Sequence, residues 1–311
     1  MIKPILLKSG DRVAVITPAS PYEQKALEDG VKALQSLGLE VEVPDLSKAS
    51  KSPLGYLAAS DEERVEQIHQ AFSDKNIKAI FCARGGYGSM RLVDQLKLEI
   101  ISQNPKIFVG YSDLTALLNF LTVQYSLITF HGPVVAKDLH SSQKPQTLEG
   151  LRKVLMEPTP LGEIDPRTIM HQEPITIHPG IGKGILVGGN LTMVAATLGT
   201  DFELNTDGKI LFLEDCGERL YRLDRLFYQL KLAGKFDKVS GILLGEFVDC
   251  ETLKDQTVVE VIRDVFKDNS IPILYGFPAG HCQEKVTLPL GVRVILDADK
   301  GTLNVTEAGV Q

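Results

Sequence analysis

Short apolar segments and helical patterns alternate over the first 135 residues of the chain. The apolar segment RVAVIT at 12–17 is followed by a helical pattern at 22–37 and by LEVEV at 39–43. Ser60 and Glu63 then form a capping-box pattern that begins a second helical pattern. Further strand patterns are IKAIFCA at 77–83, KIFVG at 106–110 and SLITF at 126–130. This alternation is typical of βαβ units, and it predicts an N-terminal parallel sheet of flavodoxin-like or Rossmann-like type.

The pattern changes in the middle of the chain. Pro, His, Ser and Gln become frequent over 136–180, and the apolar periodicity fades. We interpret this segment as a linker. Because the chain of 311 residues exceeds the usual size of one domain, we predict two, at 1–135 and 181–311.

The second predicted domain combines strand and helix patterns in a less regular order. KILFLED at 209–215 predicts a buried strand, and the segment 218–234 has apolar residues at helical spacing. The last strand patterns, at 286–305, are separated by a turn at Lys300-Gly301. We therefore expect an α/β protein whose second domain is mixed, with antiparallel or barrel-like β structure.

Composition and charge narrow the classes of partner. The formal net charge is −7 and no cluster of Lys and Arg is visible, so we expect no nucleic-acid partner. No apolar segment approaches the roughly 20 residues that span a bilayer, so we expect no membrane partner. The first residues, interrupted by Pro4 and Lys8, lack the pattern of a signal peptide and favour a cytoplasmic location. The four cysteines are widely spaced without a C-x-x-C pair, which favours reduced thiols over disulfides or a zinc site, and we expect no metal or other cofactor.

Small residues, glycines and hydroxyl groups follow the strand patterns of the first domain. These segments are PASP at 18–21, RGGYGS at 84–89, YSD at 111–113 and HGP at 131–133. In an open α/β sheet, ligands bind beyond the carboxyl ends of the strands. The sequence therefore predicts that the four segments lie along one edge of one sheet and form a site there.

Ser112 is a candidate nucleophile. It lies in GYSDL, at a turn between a strand pattern and an apolar helical pattern, and such a turn exposes a serine hydroxyl next to backbone N–H donors. The motif departs from the G-x-S-x-G pattern because Leu114 replaces the second glycine. The alternative is that Ser112 is the N-cap of the helix, a position where serine is strongly preferred.

Two histidines are candidates for the base, and two carboxylates for its partner. His281 follows a strand pattern and a Pro/Gly turn, while His131 follows a strand of the first sheet. Glu214 ends the apolar strand of LFLED, a costly place for a charge without a partner. Asp215 is expected on the opposite face of that strand, so only one of the two carboxylates can serve.

The segment ARGGYGS resembles a phosphate-binding loop only superficially. It has neither the Lys-Ser/Thr ending of a P-loop nor the G-x-G-x-x-G spacing, and its glycines are better suited to donating backbone N–H groups to an oxyanion. Arg84 could hold a substrate carboxylate, or it could pair with an acidic neighbour.

Five motifs, in their order along the chain, resemble those of the LD-carboxypeptidases of the S66 serine peptidase family. They are ARGGYG, GYSD, HGP, LFLED and GFPAGH, with Ala83 a departure in the first motif. The resemblance extends over nearly the whole chain. It implies a triad of Ser112, Glu214 and His281, with the nucleophile on the N-terminal domain, Glu and His on the C-terminal domain, and an active site between the domains.

The resemblance also implies an activity. The typical substrate is a murein tetrapeptide, from which the terminal D-alanine is removed during peptidoglycan recycling, and homodimers are usual. The mechanism needs no metal. The oxyanion would be bound by the backbone N–H of Asp113 and by that of Gly85 or Gly86.

Two other functions agree with the same motifs. One is an immunity-type serine peptidase that hydrolyses a peptide–nucleotide antibiotic, although the absence of Trp weighs against a nucleobase-stacking loop of that kind. The other is a non-catalytic protein of the same fold that captures peptides.

Overall fold

The structure is a computed structural model that describes residues 1–44, 52, 54–139, 145–170, 173–250 and 256–311. The chain divides into two compact units. The first unit contains Met1–Thr159, Val286–Pro289 and Gly309–Gln311, and the second contains Pro160–Lys285 and Leu290–Ala308.

The secondary structure alternates strands and helices along the described chain. The strands are β1 (Arg12–Ile16), β2 (Glu40–Glu42), β3 (Ile77–Cys82), β4 (Ile107–Gly110), β5 (Thr129–His131), β6 (Gly162–Ile164), β7 (Ile175–His178), β8 (Ile181–Asn190), β9 (Ile210–Cys216), β10 (Gly241–Val248), β11 (Ile273–Phe277), β12 (Leu288–Leu290), β13 (Arg293–Asp297) and β14 (Thr302–Val305). The helices are α1 (Gln24–Ser36), α2 (Asp61–Ser73), α3 (Leu98–Gln103), α4 (Thr115–Gln124), α5 (Pro145–Met156), α6 (Arg167–Met170), α7 (Leu191–Ala196), α8 (Leu220–Leu232) and α9 (Val258–Phe266). Among the described residues, no helix has both the length and the apolar character needed to cross a membrane.

The first unit is built on a six-stranded sheet with the order β12-β5-β4-β3-β1-β2. Strands β1 to β5 are parallel to their neighbours, and the order β2-β1-β3-β4-β5 is that of flavodoxin-like folds. The predicted parallel α/β fold is confirmed. The strand order reverses between β1 and β3, so a crevice is expected beyond the carboxyl ends of these strands.

Helix α2 begins as the sequence predicts. The Ser60 hydroxyl accepts a hydrogen bond from the Glu63 N–H at 3.2 Å, and the Glu63 carboxylate accepts one from the Ser60 N–H at 3.3 Å. This capping box satisfies two of the N–H groups that a helix start leaves unpaired. It fixes the start of α2, the helix that contains Arg64. The Arg64 guanidinium donates to the carbonyls of Pro18 and Gly88, in the loops after β1 and β3.

The second unit contains an eight-stranded sheet with the order β6-β14-β13-β8-β9-β10-β11-β7. Strands β8 to β11 are parallel, while β6, β14 and β13 on one side and β7 on the other are antiparallel to their neighbours. The prediction of a mixed α/β domain is confirmed, with antiparallel rather than barrel-like additions to the sheet. The apolar face predicted for α8 is buried, and it consists of Leu220, Leu223, Phe227 and Leu230.

The segment 136–180, interpreted above as a linker, contains regular structure where it is described. It includes α5, β6, α6 and β7, and the unit boundary falls between Thr159 and Pro160. Strands β6 and β7 are the two outer strands of the second sheet and are only partly buried. With three and four residues, these strands are too short for a clear apolar period to stand out from the surrounding Pro and Gly. Residues 140–144 and 171–172 of this segment lie outside the described residues.

The core of the second unit provides a direct test of α8 packing. Phe227 is fully buried and contacts Phe247 and Phe266, whereas its neighbour Tyr228 is 37% exposed. Replacing Phe227 with Ala should lower the free energy of unfolding by about 3 to 5 kcal/mol because it leaves a cavity. Chemical denaturation followed by circular dichroism measures this change. The control Tyr228→Ala should cost less than about 1 kcal/mol, and equal losses in the two variants would contradict the packing described.

Candidate active site

The segments that follow β1, β3, β4 and β5 lie next to one another, as predicted. The N–H of Ser20 donates to the Gly85 carbonyl at 3.2 Å, and the N–H of Tyr87 donates to the Ser20 hydroxyl at 3.1 Å. On the other side, the N–H of Gly132 donates to the Gly110 carbonyl at 3.0 Å. Together with the bond from the Ser89 N–H to the Asp113 carboxylate, at 2.8 Å, they join the loops into one edge at the carboxyl ends of the parallel strands.

Ser112 occupies a strained turn at this edge. Its φ is +65°, in the left-handed region that a residue with a side chain seldom adopts. It begins a 3-10 turn, Ser112–Leu114, that continues into α4. The N-cap positions of these two elements are Tyr111 and Leu114, and neither makes a side-chain capping bond. Since an N-cap residue has extended backbone, the geometry favours an exposed-nucleophile turn over a cap.

The predicted oxyanion residues have different surroundings. A Cβ atom on Gly85 would lie 3.1 Å from the Ser112 Cβ and 3.4 Å from its Oγ, so the Gly85 backbone lies against the serine side chain. Gly86 faces Ser20 instead, because a Cβ there would lie 2.5 Å from the Ser20 hydroxyl. Asp113 follows Ser112 directly, and its side chain is buried. Burial raises the pKa of Asp113, while hydrogen bonds from Ser89 and Gly88 act in the opposite direction.

Arg84 and His131 are placed differently from the other candidates. Arg84 is exposed, and its Nη1 donates to the Pro21 carbonyl at 2.9 Å, so its partner is a backbone carbonyl and not an acidic side chain. His131 is 1% exposed and its ring is edge-on to that of Tyr111, with the ring centroids 5.8 Å apart. His131 therefore packs inside the first unit, against a ring of the segment that contains Ser112.

Glu214 and His281 form a close pair in the second unit. The distance from His281 Nδ1 to Glu214 Oε2 is 2.6 Å, and the backbone N–H of His281 donates to the same oxygen at 3.1 Å. The side chain of Glu214 is fully buried and that of His281 is 4% exposed. Two bonds to one carboxylate oxygen fix both the position and the tilt of the imidazole, with Nε2 on the side away from Glu214.

The backbone around this pair has no room for additional side chains. Gly280 has a φ of +103°, and a Cβ atom there would lie 2.3 Å from the Glu214 Oε2. A Cβ atom on Gly245 of β10 would lie 2.9 Å from the Glu214 Cβ and 2.5 Å from the Ala279 carbonyl oxygen. Glycine at both positions therefore allows the main chain to surround the carboxylate closely.

Asp215, the next residue of β9, has hydrogen-bond partners at the end of β8 and the start of α7, and it does not pair with His281 in the way that Glu214 does. It accepts hydrogen bonds from the Asn190 side chain at 2.9 Å, the Thr192 N–H at 2.9 Å and the Thr192 hydroxyl at 2.7 Å. Asn190 also approaches Glu214, with its Nδ2 3.5 Å from Oε1, and it caps α7 by accepting the N–H of Met193. Sequence reasoning missed Asn190, although an Asn directly before an apolar helical segment is the signal of an N-cap.

The surroundings of His281 favour its protonated form. Burial acts to lower the pKa of His281, but hydrogen bonds with Cys216 and Glu214, together with the charge of Glu214, raise it to about 9. The carboxylate therefore strengthens the imidazole as a base.

Within the described parts of the chain, no group of three or more His, Cys, Asp or Glu residues is arranged to hold a metal ion.

Comparisons with known proteins identify the family of the chain. A family model described as the LD-carboxypeptidase N-terminal domain matches residues 13–132, and one described as the LD-carboxypeptidase C-terminal domain matches 183–296. The chain is 38% identical to the probable murein peptide carboxypeptidase of Bacillus subtilis (strain 168), over 99% of this chain and 95% of the relative.

Two solved structures have the same fold. The microcin C7 self-immunity protein MccF, in complex with aspartyl sulfamoyl adenosine, matches with a TM-score of 0.89 and 28% identity over all of both chains. A muramoyltetrapeptide carboxypeptidase from Oxalobacter formigenes matches with a TM-score of 0.81 and 28% identity, over 95% of this chain and 99% of the other.

These matches define the class of the protein as a serine peptidase, a hydrolase of α/β fold. More narrowly, the chain belongs to the LD-carboxypeptidase family, the S66 peptidases.

The Glu214–His281 pair predicts a shifted titration that can be measured directly. In the folded protein, His281 should titrate well above its usual value of about 6.5, near 9. In Glu214→Gln its pKa should fall to about 6.5 or lower, because the charge is lost while the burial remains. Nuclear magnetic resonance of labelled histidine follows the titration, with His281→Gln identifying the signal.

A matched control and a stability measurement accompany this test. Glu246 is a half-buried carboxylate on β10, and Glu246→Gln should leave the His281 titration unchanged. Because the folded pKa is raised, the stabilisation by the charged pair is complete below about pH 6.5 and is lost as the pH rises through about 9. An unshifted His281 in the wild-type protein would contradict this account of the pair.

Proposed function

We propose that this protein is an LD-carboxypeptidase that releases the terminal D-alanine of murein tetrapeptides. The observation that carries the proposal is the 2.6 Å contact between the buried Glu214 carboxylate and His281, an acid–base pair of the kind that activates a serine. The strained turn at Ser112 and the name of the Bacillus subtilis relative, a probable murein peptide carboxypeptidase, support it.

In the proposed mechanism, His281 Nε2 accepts the proton of the Ser112 hydroxyl while Oγ attacks the scissile carbonyl carbon. Glu214 holds the imidazole through Nδ1 and stabilises its protonated form. The tetrahedral oxyanion receives hydrogen bonds from the backbone N–H groups of Asp113 and Gly85. Gly85 is preferred to Gly86 because its backbone lies against the Ser112 side chain.

The intermediate then collapses to an acyl-enzyme. His281 donates its proton to the leaving amine, and D-alanine departs. A water molecule gives a proton to His281 and attacks the ester carbonyl carbon. As the ester bond breaks and the tripeptide is released, His281 returns that proton to Ser112 Oγ. Since His281 must be neutral to accept the first proton, its raised pKa places full activity on the alkaline side of neutrality.

We further propose that the protein acts in the cytoplasm as a homodimer, in peptidoglycan recycling. All four cysteines lie within the described residues and none of them forms a disulfide, which suits a reducing compartment. Cell fractionation and sedimentation of the purified protein test the location and the dimer.

A second candidate function is hydrolysis of a peptide–nucleotide antibiotic. The observation that favours it is a pair of exposed aromatic rings next to the Gly85 loop, since an exposed ring can stack on a nucleobase. Tyr56 and Tyr87 are 49% and 45% exposed, with their ring centroids 5.7 Å apart. The tetrapeptide remains our first choice because the Bacillus subtilis relative is more similar in sequence than MccF.

Substrate comparison and one substitution test the proposed reaction. The wild-type protein should release D-alanine from a murein tetrapeptide and not from the pentapeptide, and should leave aspartyl sulfamoyl adenosine intact. Ser112→Ala should lower kcat by at least about 10⁴-fold without changing the circular dichroism spectrum, because the nucleophile is lost. Chromatographic assay of free D-alanine measures both effects.

Ser126 provides a matched control for this substitution. It is an exposed serine of the same unit that also has a positive φ, of +54°. Ser126→Ala should keep the wild-type kcat within about twofold, as expected for a residue without a catalytic role. Unchanged turnover in Ser112→Ala would overturn the proposed nucleophile. If the wild-type protein cleaved aspartyl sulfamoyl adenosine and not the tetrapeptide, the second candidate function would be favoured.

A further inference from the structure

The side chain of Asp113 holds the glycine-rich loop, although the proposed mechanism uses only its backbone. Its carboxylate is 3% exposed and accepts hydrogen bonds from the N–H of Gly88 at 3.2 Å and of Ser89 at 2.8 Å. The Ser89 hydroxyl donates in return to the Asp113 carbonyl. The residue after the proposed nucleophile is thus bonded to the loop that contains Gly85.

A buried cation holds the same loop from the other side. Arg64 of α2 is fully buried, and its Nη1 donates to the Gly88 carbonyl at 2.9 Å and to the Pro18 carbonyl. Its Nη2 bonds to the Asp61 carboxylate. Gly88 therefore has its N–H bound by a buried carboxylate and its C=O bound by a buried guanidinium.

The backbone conformation at Gly88 and the space around it require glycine. Its φ is +122°, and a Cβ atom there would lie 2.5 Å from Leu57 Cδ2 and 2.9 Å from Arg64 Nη1. Burying two opposite charges is seldom a net source of stability, since replacement by apolar groups is often neutral or stabilising. Because one charge binds the N–H of Gly88 and the other binds its C=O, the peptide groups on both sides of the Gly88 Cα are fixed in orientation.

We propose that Asp113 and Arg64 are positioning residues that hold the loop 84–89 so that the Gly85 N–H faces the developing oxyanion. Gly88 is three residues from Gly85, and Gly85 lies against the Ser112 side chain, so a shift at Gly88 displaces the proposed donor. An oxyanion donor displaced by about 1 Å can cost on the order of 100-fold in rate. This inference rests on the proposed function of Ser112.

The test compares Arg64→Met with Lys106→Met. Lys106 is a buried cation of the same unit that, like Arg64, donates to two backbone carbonyls, here those of Ala71 and Asp74 near the end of α2. Both substitutions remove a buried cation from backbone oxygens. Arg64→Met should lower kcat about 10- to 100-fold with KM within about threefold, whereas Lys106→Met should leave both parameters near those of the wild type.

Asp113→Asn serves as the second variant in case Arg64→Met does not fold. The N–H groups of Gly88 and Ser89 donate to different oxygens of Asp113, and Asn has an acceptor at only one of these two positions. One N–H therefore loses its partner, and the same loss in kcat is expected. Amide hydrogen exchange should accelerate at Gly88 and Ser89 in Asp113→Asn and stay unchanged in Lys106→Met. Faster exchange with an unaltered kcat would overturn the inference while leaving the proposed function in place.

Covalent labelling separates the inference from the choice of substrate. If the wild-type protein releases no D-alanine, the rate at which a fluorophosphonate modifies Ser112 replaces kcat as the readout. A 10-fold or larger decrease in Asp113→Asn relative to Lys106→Met then supports the positioning role. Equal labelling rates in the two variants would overturn the positioning role alone. No labelling of the wild-type Ser112 would overturn the proposed nucleophile, and the positioning role with it.

Discussion

The burial of one carboxylate at the end of β9 determines the structure around it. The Glu214 side chain is fully buried, and transfer of such a charge from water costs several kcal/mol, even after relaxation, unless hydrogen bonds offset the loss of hydration. The imidazole and the backbone N–H of His281 provide these bonds. Glycine at 245 and 280 follows from the same constraint, because any side chain there would collide with the carboxylate or with the main chain that surrounds it.

A comparable constraint operates in the first unit, around a different pair of charges. Asp113 and Arg64 are buried on either side of Gly88 and bind its N–H and its C=O. In each unit, a side chain proposed for catalysis is next to a buried carboxylate that accepts two hydrogen bonds from a neighbouring loop. Such support keeps a reactive group in one geometry, which electrostatic catalysis requires.

Much of the fold and part of the candidate site could be predicted from the sequence. The alternation of strands and helices gave the parallel sheet, and the rule that ligands bind at the carboxyl ends of strands led to Ser112. Glu214 was recognisable because a charge at the end of an apolar strand is costly without a partner. The pairing of Glu214 with His281 was implied only by the family resemblance, since no local pattern joins residues 67 positions apart.

The remaining features depend on tertiary contacts that a local pattern does not contain. Arg64 occurs in a polar helical segment that gives no sign that its guanidinium is buried beneath a loop. The role of Gly280 depends on the position of Glu214, which comes from another strand. The outer strands β6 and β7 are not evident from the sequence because they have only three and four residues, and they pair with β14 and β11, which are distant in the chain.

In the proposed mechanism, Ser112 attacks the substrate with the help of the Glu214–His281 pair. The most direct test is mass spectrometry of the protein quenched in acid during turnover of a murein tetrapeptide. We expect a tripeptidyl adduct on the peptide that contains Ser112, with less adduct formed at early times in Glu214→Gln. An adduct on another residue such as Cys216, or turnover without any covalent intermediate, would contradict it.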